Sequence, residues 1–546
     1  MKFKMLLVSL AAASMTAAAT AQTASPDFTP EAFRAHVGFL ADDLLEGREA
    51  GTRGYDIAAR YVAAQFEALG LRPGAPGGWF QPIEFVRIRT AGTPRLTVGD
   101  QVLANGEGIV FRPSARGEAL ALEAPLVFAG YGLDMPARGF DDYRGLDARG
   151  KIVVVLDGYP EGTPSDVGAH LSSDKARMAA ARGAVGLIIV RTRADADGAA
   201  RRRSQAMASR PLTTWVGPDG RAFAPHDLAF TATLDRAAAE PLFAEAGHPL
   251  DRVIAGTPRP GGFDFAVPAR VEREAATSDG FTSPNVIAIL PGTDPALADE
   301  YVLLMAHLDH IGVRPEGAGN AGEDRINNGA MDNATGIATL IEVARELSEP
   351  GNRPRRPVIF AAVTAEEKGL LGAEYLANNP VVDGRIAAVV NLDMPVLTYD
   401  FRDVIAFGAE HSTMGPIVER AAARMGVALT PDPLPEQGLF TRSDHYEFVR
   451  VGVPSVFLMT GFAGEGRERF THFLQNEYHS PRDDMALPFD WNAGARFAQL
   501  NYLIAREIAN SDDAPLWYAD SFFGDAFARD QRRAERPAGA PQAASR

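Results

Sequence analysis

Three short apolar runs in the second half of the chain each stop on side chains that bind metals. Residues 301–306 (YVLLMA) lead into His307, Asp309 and His310, residues 358–365 (VIFAAVTA) into Glu366 and Glu367, and residues 387–392 (AAVVNL) into Asp393. The runs belong to a stretch that alternates strand and helix from Asn285 onward. The pattern predicts strands over 285–290, 301–306, 357–364, 386–392, 403–408 and 454–459, and helices over 335–347, 370–378, 414–425 and 492–509. Alternation of this kind predicts an α/β fold, a mixed, mostly parallel sheet sandwiched by helices. In open sheets of that type ligands bind in the crevice beyond the carboxyl ends of the strands. Three separate strands therefore deliver His, Glu-Glu and Asp to one edge.

Two further segments carry the same residue types. NNGAMDNATG (327–336) reads as a tight turn opening a helix and would set Asp332 at that edge, and Tyr478-His479-Ser480-Pro481 lies on a polar loop. Taken singly, each residue has an ordinary reading: a core or surface histidine, a turn-forming aspartate, a solvated glutamate pair. Taken together, carboxylates gathered at one edge repel one another, and bound cations are the natural compensation. The chain has no cysteine. That excludes a disulfide framework, a thiol nucleophile and a thiolate metal site, so any metal is held by His, Asp and Glu.

With 546 residues, the chain is long enough for several folded units. Its formal charge of −16 argues against nucleic-acid partners, which need Lys and Arg against phosphates. Lys2 and Lys4, an apolar run over 5–13 and Ala19-Thr20-Ala21 compose a secretory signal over residues 1–21, cut before Gln22. No other apolar run is long enough for a membrane anchor. Helices are predicted over 29–46 and 53–69. Residues 115–270 read as an inserted, mainly-β domain with strands at 124–130, 151–156 and 186–190 and a helix at 173–183. The expected division is 22–114 for the amino-terminal part of the main domain, 115–270 for the insertion, 271–525 for the catalytic part and 526–546 for a disordered tail.

The blocks AHLDHIG (306–312), NNGAMDNATG (327–336), TAEEKGLLGAEY (364–375), NLDM (391–394), RSDHYEF (442–448) and YHSPRDD (478–484) resemble, in order, those of metallopeptidase family 28, the secreted di-zinc aminopeptidases. Residues 36–71 are similar to that family's opening helices, and GYGL (130–133), DDYRGLDARGKIVVVL (141–156) and ARGAVGLIIV (181–190) resemble a protease-associated domain. The resemblance implies two zinc ions bridged by Asp332, one completed by His307 and Asp393 and the other by Glu367 and His479. It implies Glu366 as general base, Asp309 as the carboxylate orienting His307, and a cis peptide between Asp332 and Asn333. His310, Asp444, His445 and Tyr478 are candidate pocket or oxyanion-binding residues. The implied substrates are peptides with a free amino terminus, met in the periplasm or outside the cell. A carboxypeptidase or dipeptidase on the same scaffold is the alternative, with Arg442 and Arg467 as candidate carboxylate binders. A non-catalytic receptor-like protein is a more distant one.

Overall fold

A computed structural model describes residues 26–193, 202, 206, 208–256, 261–317 and 322–538. The expected signal segment lies outside the described residues. The principal sheet runs in the order Leu212–Trp215, Phe80–Arg89, Thr277–Leu290, Val358–Val363, Glu300–His307, Arg385–Leu392, Ser455–Thr460, Asp403–Phe407, Ala428–Thr430, and the short strand Arg72–Pro73 pairs with Thr277–Leu290. Its centre is parallel: Glu300–His307 lies between Val358–Val363 and Arg385–Leu392, and Ser455–Thr460 follows. Antiparallel strands flank this centre on both sides.

Both faces of the central strands are apolar because both are covered. Val302, Leu304 and Ala306 point with Phe360 and Val390 into the larger core, built with the helices Pro30–Leu40, Arg53–Ala68, Thr335–Ser348, Met414–Arg424 and Trp491–Asn510. The alternate residues Leu303, Met305, Ile359, Ala361 and Val389 pack on the other face against Ala373, Leu376 and Phe448. Continuous apolar runs thus become strands buried on two sides, with polar donors only where each strand ends.

Several boundaries differ from expectation. The helix expected over 29–46 starts as predicted, with the Thr29 side chain accepting from the Ala32 N–H and Pro30 in the first turn, but stops at Leu40. A tighter turn, Asp43–Arg48, follows, and there Glu46, Gly47 and Arg48 all have positive φ. The helix expected over 173–183 is found at Lys175–Ala181, and an unexpected second helix, Ser165–Ser173, precedes it. The strand expected over 124–130 is split at Pro125, which has no N–H to give to a ladder. Leu120–Ala124 and Leu126–Phe128 join different sheets.

Strand pairing also crosses the expected boundary at residue 114. Arg95–Val98, Gln101–Ala104 and Ile109–Phe111 belong to the two sheets of the insertion, whereas Leu212–Trp215 returns to the principal sheet. The tail expected to be disordered from residue 526 is described as far as Ala538 and is held in place. Ala534 bridges to Tyr518, and Arg536 pairs with Asp520 at 2.8 Å. These long-range contacts outweigh a composition that would otherwise favour disorder.

The insertion is wedged into the main domain through the helix Ser165–Ser173. Val167 and Leu171 enter the larger core, His170 Nδ1 lies 2.5 Å from the Tyr446 hydroxyl, and Asp166 hydrogen-bonds His411. Both members of the last pair are buried. Burial works against charge on His411, but Asp166 raises its pKa above 6.5 overall, while burial opposes and His411 wins in holding Asp166 below 3.8. The His411 contribution is therefore complete below its unfolded-state pKa and is lost as pH rises through the raised value. Asp166 contributes above pH 3.8 and fails as pH falls through its lowered value. His411→Asn is expected to cost about 3–5 kcal/mol near pH 6. Denaturant titrations should show the gap to wild type closing as the pH is made alkaline.

Candidate metal centre

The donor residues meet because four segments end at one place. His307 closes the strand Glu300–His307, Glu366 and Glu367 follow Val358–Val363, Asp393 follows Arg385–Leu392, and Asp332 sits in the turn before the helix Thr335–Ser348. His479 arrives from the loop after the helix Gly466–Asn476. His307 Nε2 lies 3.3 Å from Asp332 Oδ1 and 3.1 Å from Asp393 Oδ1. His479 Nε2 lies 3.2 Å from Asp332 Oδ2 and 3.2 Å from Glu367 Oε2. The two oxygens of Asp332 thus face two separate donor groups. His310 also enters, with Nδ1 2.7 Å from Glu367 Oε1 and 3.8 Å from Asp332 Oδ2.

The backbone at these strand ends is unusual. The Asp332–Asn333 peptide is cis. Ala365, Met394, Val396 and His479 all have positive φ, a rare conformation for residues with a Cβ, found where surroundings fix the chain at a site. Asn333 holds the turn to the neighbouring strand: its Nδ2 donates to the Leu392 carbonyl at 2.9 Å, and its Oδ1 accepts from the Gly336 N–H at 2.9 Å and the Met394 N–H at 3.2 Å. A Cβ on Gly336 would fall 2.2 Å from that Oδ1, which accounts for glycine there.

Asp309 does not orient His307 through its carboxylate, as expected from the resemblance. The His307 Nδ1–H donates instead to the Asp309 backbone carbonyl at 3.0 Å, leaving Nε2 as the lone-pair atom toward Asp332 and Asp393. A carbonyl two residues beyond the strand end is within reach of that ring nitrogen. The carboxylate turns to the Glu366 N–H at 3.1 Å.

Three supporting side chains lie within segments the sequence singled out, but nothing in the sequence marked their contacts. Ser443 donates to Asp393 Oδ2 at 2.6 Å and accepts from Asn391 at 2.6 Å. Asp483 accepts from the Met331 N–H at 2.7 Å and the Asp332 N–H at 3.0 Å. Arg48, fully buried, donates to the carbonyls of Leu40, Leu308, Asn328 and Gly329. The left-handed turn at 46–48 aims it there, and a pattern of apolar spacing carries no sign of it.

The electrostatics are those of crowded buried acids. Burial pushes Glu366 well up, with the Glu367, Asp444 and Asp393 charges adding to it against His307. Burial likewise takes Asp309 to about 6, Asp483 to about 7 and Asp444 to about 8. Glu367 goes the other way, to about 2, because His310 and His479 outweigh its burial and the Asp332 charge. His479 rises to about 10, against burial, through Asp332 and Glu367. These histidines serve as counter-charges when protonated, a role a dication would take over. The donor set is oxygen and imidazole nitrogen throughout, which suits zinc. Glu367 Oε1 and both ring nitrogens of His310 are buried without a hydrogen-bond partner, as metal-directed atoms would be.

Among the pocket candidates, Tyr478 stacks on His479 with ring centroids 3.8 Å apart. His445 is fully buried between Phe440 and Phe457 and does not line an opening. Asp444 is also fully buried, both its oxygens unpartnered. Arg467 is exposed and lies 4.9 Å over the Phe462 ring, and Arg442 is exposed as well.

The second half of the chain is similar to peptidase family M28, and part of the insertion is similar to a protease-associated domain. Residues 285–505 match the peptidase family M28 model, and residues 122–214 match the PA domain. Leupeptin-inactivating enzyme 1 of Streptomyces exfoliatus is 32% identical over 190 residues, 34% of this chain and 37% of that protein. Aminopeptidase Y of Saccharomyces cerevisiae is 28% identical over 249 residues, 44% of this chain and 40% of the relative. The matched stretches thus span well under half of each curated relative. An aminopeptidase from Aneurinibacillus sp. strain AM-1 shares the fold, with a TM-score of 0.51 at 21% identity over 89% of this chain and 95% of that one.

Proposed function

We propose that this chain is an exported, zinc-dependent aminopeptidase that removes amino-terminal residues from peptides. The observation that carries the reading is the placement of Asp332, one carboxylate facing His307 and Asp393 with one oxygen and His479 and Glu367 with the other. His307, Asp393 and Asp332 would hold one ion, and Glu367, His479 and Asp332 a second. When bound, such a pair acidifies water toward a pKa of about 7 and polarises the scissile carbonyl.

Glu366 lies beside these donors without belonging to either group of them. Its carboxylate would take a proton from the attacking water and return it to the departing amine nitrogen, so that one water is consumed and one peptide bond broken. Burial raises its pKa, which suits a group that must both accept and release that proton, and bound dications would draw the value back down. The preference for amino termini is supported by the likeness to aminopeptidase Y. Export rests on the segment 1–21.

Dipeptides with a free amino terminus should be cleaved, amino-blocked ones should not, and removal of zinc by a chelator should abolish turnover until zinc is restored. Cleavage of amino-blocked dipeptides that requires a free carboxylate would replace this reading with a carboxypeptidase.

A further inference from the structure

We propose that His310 is a metal ligand, donating through Nδ1 to the same ion as Asp332, Glu367 and His479. The assignment rests on the metal-centre reading above and goes beyond the ligand set the family resemblance implies. His310 is 1% exposed, so its polar atoms must find partners inside the protein. Nδ1 faces Glu367 Oε1 at 2.7 Å, an ion-pair distance, yet neither ring nitrogen nor that oxygen makes a hydrogen bond of good geometry. Two such atoms close together without hydrogen-bond alignment are what donors aimed at a common third point look like. Zinc bonds of about 2.0–2.2 Å set adjacent donors about 2.8–3.6 Å apart in four- or five-coordinate sites. The 2.7 and 3.8 Å separations of His310 Nδ1 from Glu367 and Asp332 bracket that range, and those of His479 fall within it.

The ring is also given room by the backbone. Gly329 has φ +61°, and a Cβ there would come within 2.6 Å of His310 Cγ. The two donor groups are then unequal. One has a single imidazole, His307, and the other has two, His310 and His479, so the second should load zinc first and release it last.

The test compares wild type with His310→Asn, whose side-chain amide can stand where Nδ1 does and donate a hydrogen bond to Glu367 but is a poor zinc ligand. Zinc retention is titrated against a competing chelator. The variant should bind one of two ions more than about 100-fold more weakly, beyond the upper end of losses caused by removing an outer-shell partner. An Asn variant that holds both ions as tightly as wild type would overturn the assignment and make His310 a hydrogen-bonding residue only. A second measurement needs no variant: proton NMR of the cobalt-loaded wild type should show hyperfine-shifted imidazole resonances for His307, His310 and His479. Resonances from only two imidazoles would overturn it. Wild type without bound zinc would sink the metal reading as well, whereas two ions held equally by both proteins sinks this assignment alone.

Discussion

Glu366→Ala should lower turnover of an aminoacyl anilide by about 10²–10⁴-fold, the range a positioned acid–base group contributes, while zinc content stays at the wild-type level. The separation of these two readouts gives the experiment its force. Glu366 and Glu367 are adjacent in sequence, yet only Glu367 has an oxygen in a donor cluster among the described residues. Glu367→Ala should therefore lose metal, and Glu366→Ala should not. Glu366→Gln sharpens the result, since it keeps size and hydrogen bonding but cannot take a proton. Loss of zinc from the Glu366 variants would make that residue a ligand, and undiminished turnover would remove it from the reaction altogether.

A loss of stability as large as that of His411→Asn, joined to a loss at the metal centre, is expected from Arg48→Met. The guanidinium donates to Leu308 at 3.0 Å, Asn328 at 2.5 Å and Gly329 at 3.0 Å, and also to Leu40. Burial lowers its pKa to about 10, and the charges of Asp483, Asp332, Asp309 and Glu367 keep it protonated at neutral pH. A buried carbonyl left short of a donor costs about 1–3 kcal/mol, and several in contact do not add independently. We expect a loss of roughly 3–5 kcal/mol by urea denaturation, the range for breaking a buried charged network. Zinc affinity should fall in parallel, because Leu308, Asn328 and Gly329 border His307, His310 and Asp332. Arg48→Lys should not rescue either property, since a compact ammonium cannot span the guanidinium's fork of acceptors. Wild-type stability in Arg48→Met would show that these carbonyls find other donors.

Much of the principal sheet is legible in the order of its residues. The strands predicted over 301–306, 386–392 and 403–408 are found at Glu300–His307, Arg385–Leu392 and Asp403–Phe407. Their apolar runs are long, doubly buried and bounded by turns. The strand Thr277–Leu290 is recognisable only from Asn285 because its first half, TSDGFTSP, is mostly polar and exposed and is held by pairing to Phe80–Arg89, with Phe281 alone contributing a large apolar side chain. The single helix expected over 29–46 cannot be told from a helix followed by a turn, since Leu44 and Leu45 continue the apolar spacing although Leu44 is 83% exposed.

Residue types and their order set the kind of chemistry available here. Without cysteine, and with His, Glu and Asp placed at the ends of apolar strands, the residues point to an oxygen-and-imidazole metal site at one sheet edge. Which atoms meet is a property of the folded chain. Folding turns the two oxygens of Asp332 to different partners and sets the carbonyl of Asp309 rather than its carboxylate on His307. It brings His310 to Glu367, and it carries Arg48 across 260–281 residues of chain to the loops that bear the donors. The reason is range: burial and strand ends leave a periodic trace in neighbouring residues, whereas the aim of a side chain depends on loop backbone and on contacts with segments far away in sequence, which leave none.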